Sequence, residues 1–207
     1  MIIGVTGLIG SGKNTISKYL VGKYGFINFS FAGVLKDVCS VLFGWQRYLL
    51  EGDTEESRMF RETVDDYWSK KLHIPNFTPR LALQLVGTNC LRKGLSEDIW
   101  VSALERRINN LPKDKNVVIS DVRFPNELKM IHSNGFIIRC IRELPEWWDD
   151  AEHLNVCGLK SIPPVLETIH ESEWKWIGID YPRNIISNTG TLEDLYNNVD
   201  TIIGNTL

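Results

Sequence analysis

A glycine-rich stretch near the N-terminus contains the residue types with the clearest capacity for chemistry. Residues 7–15 read GLIGSGKNT and lie between a predicted strand and a predicted helix. Glycines at this spacing let the backbone turn tightly and aim several N–H groups inward, while the start of the helix adds its partial positive charge. Lys13 can bridge the outer oxygens of a polyphosphate. The stretch therefore predicts a phosphate-binding loop, with the contacts Gly7, Gly10, Ser11, Gly12, Lys13, Asn14 and Thr15.

The residue after the lysine departs from the usual form of this motif. A Ser or Thr usually stands there, and its hydroxyl ligates magnesium. Here Asn14 takes that position and Thr15 follows it. The Asn14 carboxamide oxygen is a suitable hard ligand, whereas Thr15 points about 100° further round the helix. We predict Asn14 as the metal residue and keep Thr15 as the alternative.

A carboxylate and two further charged residues follow a second apolar run. Asp121 comes directly after residues 117–120, a predicted buried strand. Open parallel sheets bind ligands at the carboxyl ends of their strands, so Asp121 can reach magnesium directly or through water. We interpret Arg123 and Glu127, which follow it, as site residues. An ion-paired surface loop is the alternative.

Other cations stand at positions that suit phosphate chemistry: Lys36, Arg80, Arg92 and Arg142. Phosphoryl transfer requires positive charge to neutralise both the donor and the acceptor phosphates. Surface salt bridges are the alternative for any one of them. No serine nucleophile elbow and no HExxH spacing compete with this chemistry, and His170 is the histidine that we favour as functional.

The order of apolar patterns indicates how these residues are positioned. Short β-branched runs alternate with segments of helical period, which predicts an α/β fold with a mostly parallel sheet. Strands are predicted at residues 2–6, 27–30, 117–120, 136–141 and 184–187. Helices are predicted at residues 13–24, 34–43, 80–93, 99–108 and 126–133, and after Thr191. On the helix 34–43, we expect Val34, Leu35, Val38 and Leu42 to face inward.

Two stretches, residues 51–66 and 143–175, lack this periodicity. We interpret both as mobile insertions over one end of the sheet, because long irregular segments in compact domains are usually lids or binding loops. A solvated acidic helix is the alternative for the first stretch.

Composition limits the class of protein. The 207 residues are 43% hydrophobic and 24% charged, with a net charge of -3. This charge offers no general basic field, so we expect no nucleic-acid partner. No apolar run approaches the roughly 20 residues that cross a bilayer, and no leader precedes the first strand, so we expect a cytoplasmic protein without a membrane partner. The four cysteines form no CxxC pair and are expected as buried reduced thiols.

Together these residues resemble the bacteriophage deoxynucleoside monophosphate kinases, relatives of the broader P-loop nucleoside monophosphate kinase group. The resemblance covers most of the chain and rests on the order of its motifs, since the phosphate loop alone is generic. The motifs are residues 7–15, FAGVLK at 31–36, RLALQLVGT at 80–88, DIW at 98–100, the DxRxxxE set at 121–127, HESE at 170–173 and NTGTLEDL at 188–195.

The resemblance implies a three-layer P-loop kinase fold, with a mostly parallel central sheet flanked by helices. It implies one domain over residues 1–207, with a helical acceptor-binding insertion at about 45–110 and a lid at about 143–175. The implied reaction is ATP-dependent conversion of a deoxynucleoside monophosphate to the diphosphate, with Mg²⁺.

The resemblance also implies a role for each motif residue. The implied catalytic residues are Lys13, Asp121, Arg123 and Arg142, with Asp121 and Asn14 serving the metal. The implied acceptor-binding residues are Lys36, Arg80, Arg92, Trp100, Arg123 and Glu127. Asn188, Thr189 and Gly190 would meet the adenine of ATP, and His170, Ser172 and Glu173 would belong to the lid. Members of this family commonly carry Asp after the loop lysine. With Asn14 at that position, this sequence has one negative charge fewer beside the loop.

Two other functions remain open from the sequence. One is a P-loop kinase of another small anionic acceptor, such as dephospho-coenzyme A. The other is a nucleotide-binding regulator that does not turn over. The pair Trp147 and Trp148 has three interpretations: packing over the closed site, anchoring the lid, or forming a homodimer contact.

Overall fold

A computed structural model describes residues 1–158 and 161–206. The chain divides into two compact units, Met1–Ser30 with Ile108–Leu207 and Phe31–Arg107. We call the first the sheet unit and the second the helical unit. Leu159 and Lys160, which belong to the predicted lid, lie outside the described residues.

The sheet unit is built on five parallel strands. They are β1 (Ile2–Thr6), β2 (Ile27–Phe29), β3 (Val117–Ile119), β4 (Gly135–Ile141) and β5 (Asn184–Ser187). Their order across the sheet is β2-β3-β1-β4-β5, and every neighbouring pair is parallel. β1 is therefore central, with the carboxyl ends of β3 and β4 on either side of the loop that follows it. This is the kind of crevice in which open α/β sheets bind ligands.

Helices cover both faces of this sheet. The helices of the sheet unit are α1 (Lys13–Tyr24), α7 (Pro125–Asn134), α8 (Trp148–Cys157), α9 (Pro164–Glu167) and α10 (Leu192–Gly204). Ile3 and Val5 of β1 share a buried cluster with Ile16 of α1 and Leu195 of α10. On the opposite face, a Cβ at Gly4 would meet the Ile131 side chain of α7 at 2.5 Å. The alternation of side chains along β1 thus produces the predicted three-layer α/β arrangement.

The helical unit has an apolar core of its own. Its helices are α2 (Phe31–Phe43), α3 (Glu55–Glu62), α4 (Asp66–Leu72), α5 (Pro79–Gln84) and most of α6 (Ile99–Asn109). A 3-10 turn covers Arg47–Leu50, and a π-helix, Leu85–Arg92, continues α5. The core consists of Cys39, Trp45, Leu50, Phe77 and Ala82.

The predicted inward face of α2 is wrong at two of its four positions. Val38 and Leu42 are 39% and 56% exposed, whereas Cys39 is fully buried. The buried side is centred on Cys39, with Leu35 and Phe43 packed beside it. The helix is rotated from the predicted face because a small thiol occupies the position that packs most closely on the aromatic core.

Other local expectations also differ from the structure. The predicted helix 80–93 changes to π geometry after Gln84. Stretch 51–66 contains the helix α3, which is mostly exposed and has Glu55 and Glu56 in its first turn, in agreement with the alternative of a solvated acidic helix. Stretch 143–175 contains α8, α9 and a 3-10 turn, Glu171–Glu173. Cys90 and Cys157 are exposed rather than buried, and all four cysteines are free. Among the described helices, none combines the length and apolar composition that crossing a membrane requires.

Candidate active site

The loop after β1 has the backbone geometry of a phosphate cradle. Gly7, Gly10 and Gly12 have φ values of 144°, 80° and 112°, which L side chains rarely adopt. A Cβ at Gly7 would lie 2.4 Å from the Cys140 carbonyl oxygen, and one at Gly12 would lie 2.4 Å from Asn188 Nδ2. Glycine is therefore required at these two positions by both conformation and space.

The polar groups of the loop suit an anion. Gly12 precedes α1, and in the described chain no side chain caps the first turn of this helix. Ser11 is buried, and its Oγ has no hydrogen-bond partner among the described residues. A helix start without a cap and a buried hydroxyl without a partner both gain from a bound phosphate, because each then receives a hydrogen-bond acceptor.

Lys13 lies inside this loop, and its Nζ donates a hydrogen bond to the Leu8 carbonyl at 2.6 Å. Burial is the main cause that lowers the pKa of Lys13 from 10.5 to about 8, and the positive charge of Arg123 lowers it further. The carboxylates of Glu173 and Asp121 oppose this shift. Lys13 and Arg123 thus bring two positive charges to the same site.

Asp121 follows β3, next to the loop in the strand order. Its Oδ2 accepts a hydrogen bond from Ser30 Oγ at 2.6 Å. Asn14 is exposed in the first turn of α1, and Thr15 is half-buried. One carboxylate and one carboxamide are hard oxygen donors of the kind that Mg²⁺ uses when substrate phosphates and water complete its shell. The residues present therefore fit this ion.

Arg123 contacts the segment that was predicted as a lid. Its guanidinium forms an ion pair with Glu173 and donates to the Ser172 carbonyl at 3.4 Å. Ser172 in turn contacts His170, whose Nδ1 lies 2.9 Å from Ser172 Oγ. The structure therefore brings Arg123, Ser172 and Glu173 together, 49 and 50 residues apart in the chain.

The Glu127 carboxylate accepts hydrogen bonds from the backbone that precedes it. It is buried, and its Oε2 accepts hydrogen bonds from the backbone N–H groups of Arg123 at 2.8 Å and Phe124 at 3.1 Å. Its carboxylate thus holds the backbone that carries Arg123 at the start of α7.

The loop after β5 lies against the phosphate loop. Asn188 is buried, and its Nδ2 donates to the Ser11 carbonyl at 2.7 Å. Arg142, which is exposed after β4, donates from Nε to the Asn188 carbonyl at 3.3 Å. Thr189 and Gly190 are exposed beside them.

Four predicted acceptor residues lie in the helical unit. Lys36 pairs with Glu51, and Arg80 pairs with Glu62. Arg92 donates to the Glu97 carbonyl at 3.4 Å, and buried Trp100 donates from Nε1 to the Gly87 carbonyl of the π-helix at 3.0 Å. Their roles toward an acceptor stay predictions.

Sequence reasoning missed two groups beside the phosphate loop. Asp180 is fully buried, accepts from Thr6 Oγ1 at 2.8 Å and from Arg139 Nε at 2.8 Å, and thereby ties the end of β1 to β4. Cys140 donates from Sγ to the Ser11 carbonyl at 3.0 Å. No local pattern marks Asp180, and the Cys140 position in a predicted strand indicated only that it is buried.

Comparison with known proteins identifies relatives along almost the whole chain. The chain is 32% identical over 217 residues to a protein of Acanthamoeba polyphaga mimivirus named as a deoxynucleotide monophosphate kinase, covering 99% of this chain and 97% of the relative. The chain belongs to the deoxynucleotide monophosphate kinase family. It is also 23% identical over 247 residues to the deoxynucleoside-5'-monophosphate kinase of Escherichia phage T5, covering 93% of this chain and 97% of that relative. No protein-family profile matches the chain.

Among solved structures, the Thermus thermophilus protein TT1252 is similar to this chain with a TM-score of 0.48 and 19% identity, covering 100% of this chain and 98% of the other. Membership of the deoxynucleotide monophosphate kinase family confirms the predicted resemblance, and with it the prediction of a nucleotide kinase with a P-loop fold.

Proposed function

We propose that this enzyme transfers the γ-phosphate of ATP to a deoxynucleoside monophosphate and so forms the diphosphate. The observation that carries the proposal is the presence of two positively charged side chains, Lys13 and Arg123, at one site. A regulator that binds only ATP has no need of a second cation beside the loop lysine, whereas a kinase must neutralise two phosphates that repel each other. Family membership supports the same choice of acceptor.

The reaction needs no strong general base, because the acceptor phosphate is already ionised at neutral pH. An acceptor oxygen attacks the γ-phosphorus, the new P–O bond forms, and the bond from the γ-phosphorus to the bridging oxygen breaks to release ADP. We propose that Lys13 and the amides of the phosphate loop hold the donor phosphates, and that Arg123 holds the acceptor phosphate. Alignment and charge neutralisation then supply the catalysis.

Asp121 and Asn14 are the residues that we propose for Mg²⁺. The bound ion would neutralise charge on the β- and γ-phosphates. Asp121 is oriented by the Ser30 hydroxyl, and Asn14 contributes an uncharged oxygen from the start of α1.

We propose the segment 143–175 as a lid over the phosphates. Its contact with Arg123 through Ser172 and Glu173 supports this role, since closure over a bound acceptor excludes water and suppresses ATP hydrolysis. We propose the loop Asn188 to Gly190 for the adenine. The acceptor-side roles of Lys36, Arg80, Arg92 and Trp100, and an insertion at about 45–110, remain proposals that rest on the family resemblance.

A coupled assay of ADP formation tests the proposed function. We would incubate the enzyme and MgATP with each of the four common deoxynucleoside monophosphates, the matching ribonucleotides and dephospho-coenzyme A. We expect ADP formation with at least one deoxynucleoside monophosphate and none with dephospho-coenzyme A. Lys13→Met and Arg123→Met should each lower the rate by about 100-fold or more, because each removes a charge from the transferring group.

Three results would contradict the proposal. ADP formation with dephospho-coenzyme A alone would support a different acceptor. Tight ATP binding without turnover on any acceptor would support a regulator. Loss of ATP binding but not of monophosphate binding in Arg123→Met would show that this arginine serves the donor.

A further inference from the structure

The carbonyl oxygen of Ser11, in the middle of the phosphate loop, accepts hydrogen bonds from two buried side chains. Asn188 Nδ2 lies 2.7 Å from it and Cys140 Sγ lies 3.0 Å from it. Both donors are distant in sequence, at separations of 177 and 129 residues. Because a carbonyl oxygen has two lone pairs, these two donors occupy its full capacity as an acceptor.

This pairing fixes the direction of the next N–H group. In a planar trans peptide, the C=O and N–H bonds point to opposite sides of the chain. Holding the Ser11 carbonyl toward Asn188 and Cys140 therefore turns the Gly12 N–H away from these two side chains. The φ of 112° at Gly12 belongs to this same backbone arrangement.

Asn188 is itself rigidly held. Its backbone N–H donates to the Ile141 carbonyl at 2.6 Å, and its carbonyl accepts from Arg142 Nε at 3.3 Å. Its side chain fills the space beside Gly12, where a Cβ would lie 2.4 Å from Nδ2. The carboxamide thus joins the ends of β4 and β5 to the phosphate loop.

We propose that Asn188 and Cys140 are positioning residues that aim the Gly12 N–H at a bound phosphate. The inference rests on the proposed binding of the ATP phosphates by this loop and adds a role for the Asn188 side chain beyond any backbone contact with adenine. Asn188 contributes the stronger hydrogen bond, and the thiol of Cys140, a weaker donor, contributes the smaller part.

Binding of Mg-tripolyphosphate and of adenosine separates this role from base recognition. Tripolyphosphate tests the phosphate site without a base, and adenosine tests the base site without a phosphate. Asn188→Leu keeps the side-chain size and adds no charge but removes the donating amide, so tripolyphosphate affinity should fall about ten-fold or more, as expected for losing a buried hydrogen bond. Adenosine affinity should stay within about two-fold of the wild-type value. Retained adenosine binding would also show that the variant is folded.

Two substitutions of Cys140 provide a second test. Cys140→Ser keeps a donor and should keep tripolyphosphate affinity, whereas Cys140→Ala should lose about two- to five-fold. Ser133→Ala, an exposed serine of α7 whose hydroxyl donates to the Lys129 carbonyl, serves as the control and should change the affinity for neither ligand.

Unchanged tripolyphosphate binding in Asn188→Leu would overturn the proposal, and so would equal losses in Cys140→Ser and Cys140→Ala. A loss of adenosine affinity alone would assign Asn188 to the base and overturn it as well. Failure of the proposed function would be seen separately, as absence of turnover in a wild-type protein that binds tripolyphosphate and shows this variant pattern.

Discussion

At the scale of single residues, the buried Lys13 makes phosphate binding depend on pH. Its pKa of about 8 in the free protein means that it is mostly charged at pH 7 and mostly neutral at pH 9. A bound polyphosphate stabilises the charged form and raises this pKa. Binding should therefore take up almost no proton at pH 7 and nearly one proton at pH 9, and affinity should fall by up to about ten-fold per pH unit above pH 8.

Calorimetry of Mg-tripolyphosphate binding in two buffers of different ionisation enthalpy measures this uptake. Lys13→Met should abolish the rise in uptake between pH 7 and pH 9. Lys23→Met changes an exposed lysine of the same helix and should preserve the rise, because the pKa of Lys23 is raised by Asp200 and lies outside this window. A wild-type uptake that stays flat across this range would show that Lys13 is fully charged throughout.

Glu127 provides a second residue-scale prediction, which separates a structural from a binding role. Glu127→Ala leaves two backbone N–H groups without their acceptor and should lower the free energy of unfolding by about 1–3 kcal/mol. Glu127→Gln keeps an acceptor oxygen and should recover much of this loss. Urea unfolding gives the stability and the assay gives the KM for the acceptor. An unchanged stability with a raised acceptor KM would assign Glu127 to the substrate alone.

At the scale of elements, the 3-10 turn Glu171–Glu173 places a carboxylate where a phosphate should bind. Glu173 pairs with Arg123 and also acts on Lys13. Glu173→Gln removes a negative charge that competes with phosphate, so affinity for Mg-tripolyphosphate should rise about three- to ten-fold, the range expected for one partly buried charge.

Glu171→Gln is the matched control for this change. Glu171 stands on the same turn but pairs with Lys175, and its variant should bind tripolyphosphate like the wild type. Weaker binding by Glu173→Gln would instead mean that Glu173 holds Arg123 in its binding position. Calorimetry at constant ionic strength shows whether the affinity for tripolyphosphate rises or falls.

Element boundaries followed local pattern wherever that pattern was strong. β1 and α1 agree with the predicted residues, and Thr191 caps α10 with Asp194 in a capping box as the spacing indicated. The face of α2 and the π-helix were not predictable, because each depends on the packing partner. Cys39 is buried by the aromatic core of the helical unit, and Trp100 donates to a carbonyl of the π-helix.

At the scale of the whole molecule, the ion pair of Arg139 with Asp180 stabilises the sheet unit. Asp180 is fully buried, and it also accepts from Thr6 at the end of β1. Asp180→Ala leaves a largely buried guanidinium without its carboxylate, which should cost about 3–5 kcal/mol in the free energy of unfolding. The double variant Arg139→Met/Asp180→Leu should cost less, since no buried charge is left unpaired.

Urea unfolding of the three proteins checks this order of stability. Asp114→Ala is the control for a surface ion pair, because Asp114 and Lys115 are both largely exposed, and it should change stability by less than about 1 kcal/mol. A double variant less stable than Asp180→Ala would show that packing around the charges, rather than their pairing, dominates this site.

The sequence by itself determined the phosphate loop, the strand that precedes Asp121 and the family. The first two depend on neighbouring residues, namely glycine spacing with a lysine at a helix start, and an acid shortly after an apolar run, whereas the family depends on the order of several motifs along the chain. Only the tertiary structure decided which side chains act on them. Glu173 reaches Arg123, Asn188 and Cys140 reach Ser11, and Asp180 reaches Thr6, across separations of 50 to 177 residues. Such contacts leave no periodic or local pattern, because they arise only when distant strands and loops pack side by side.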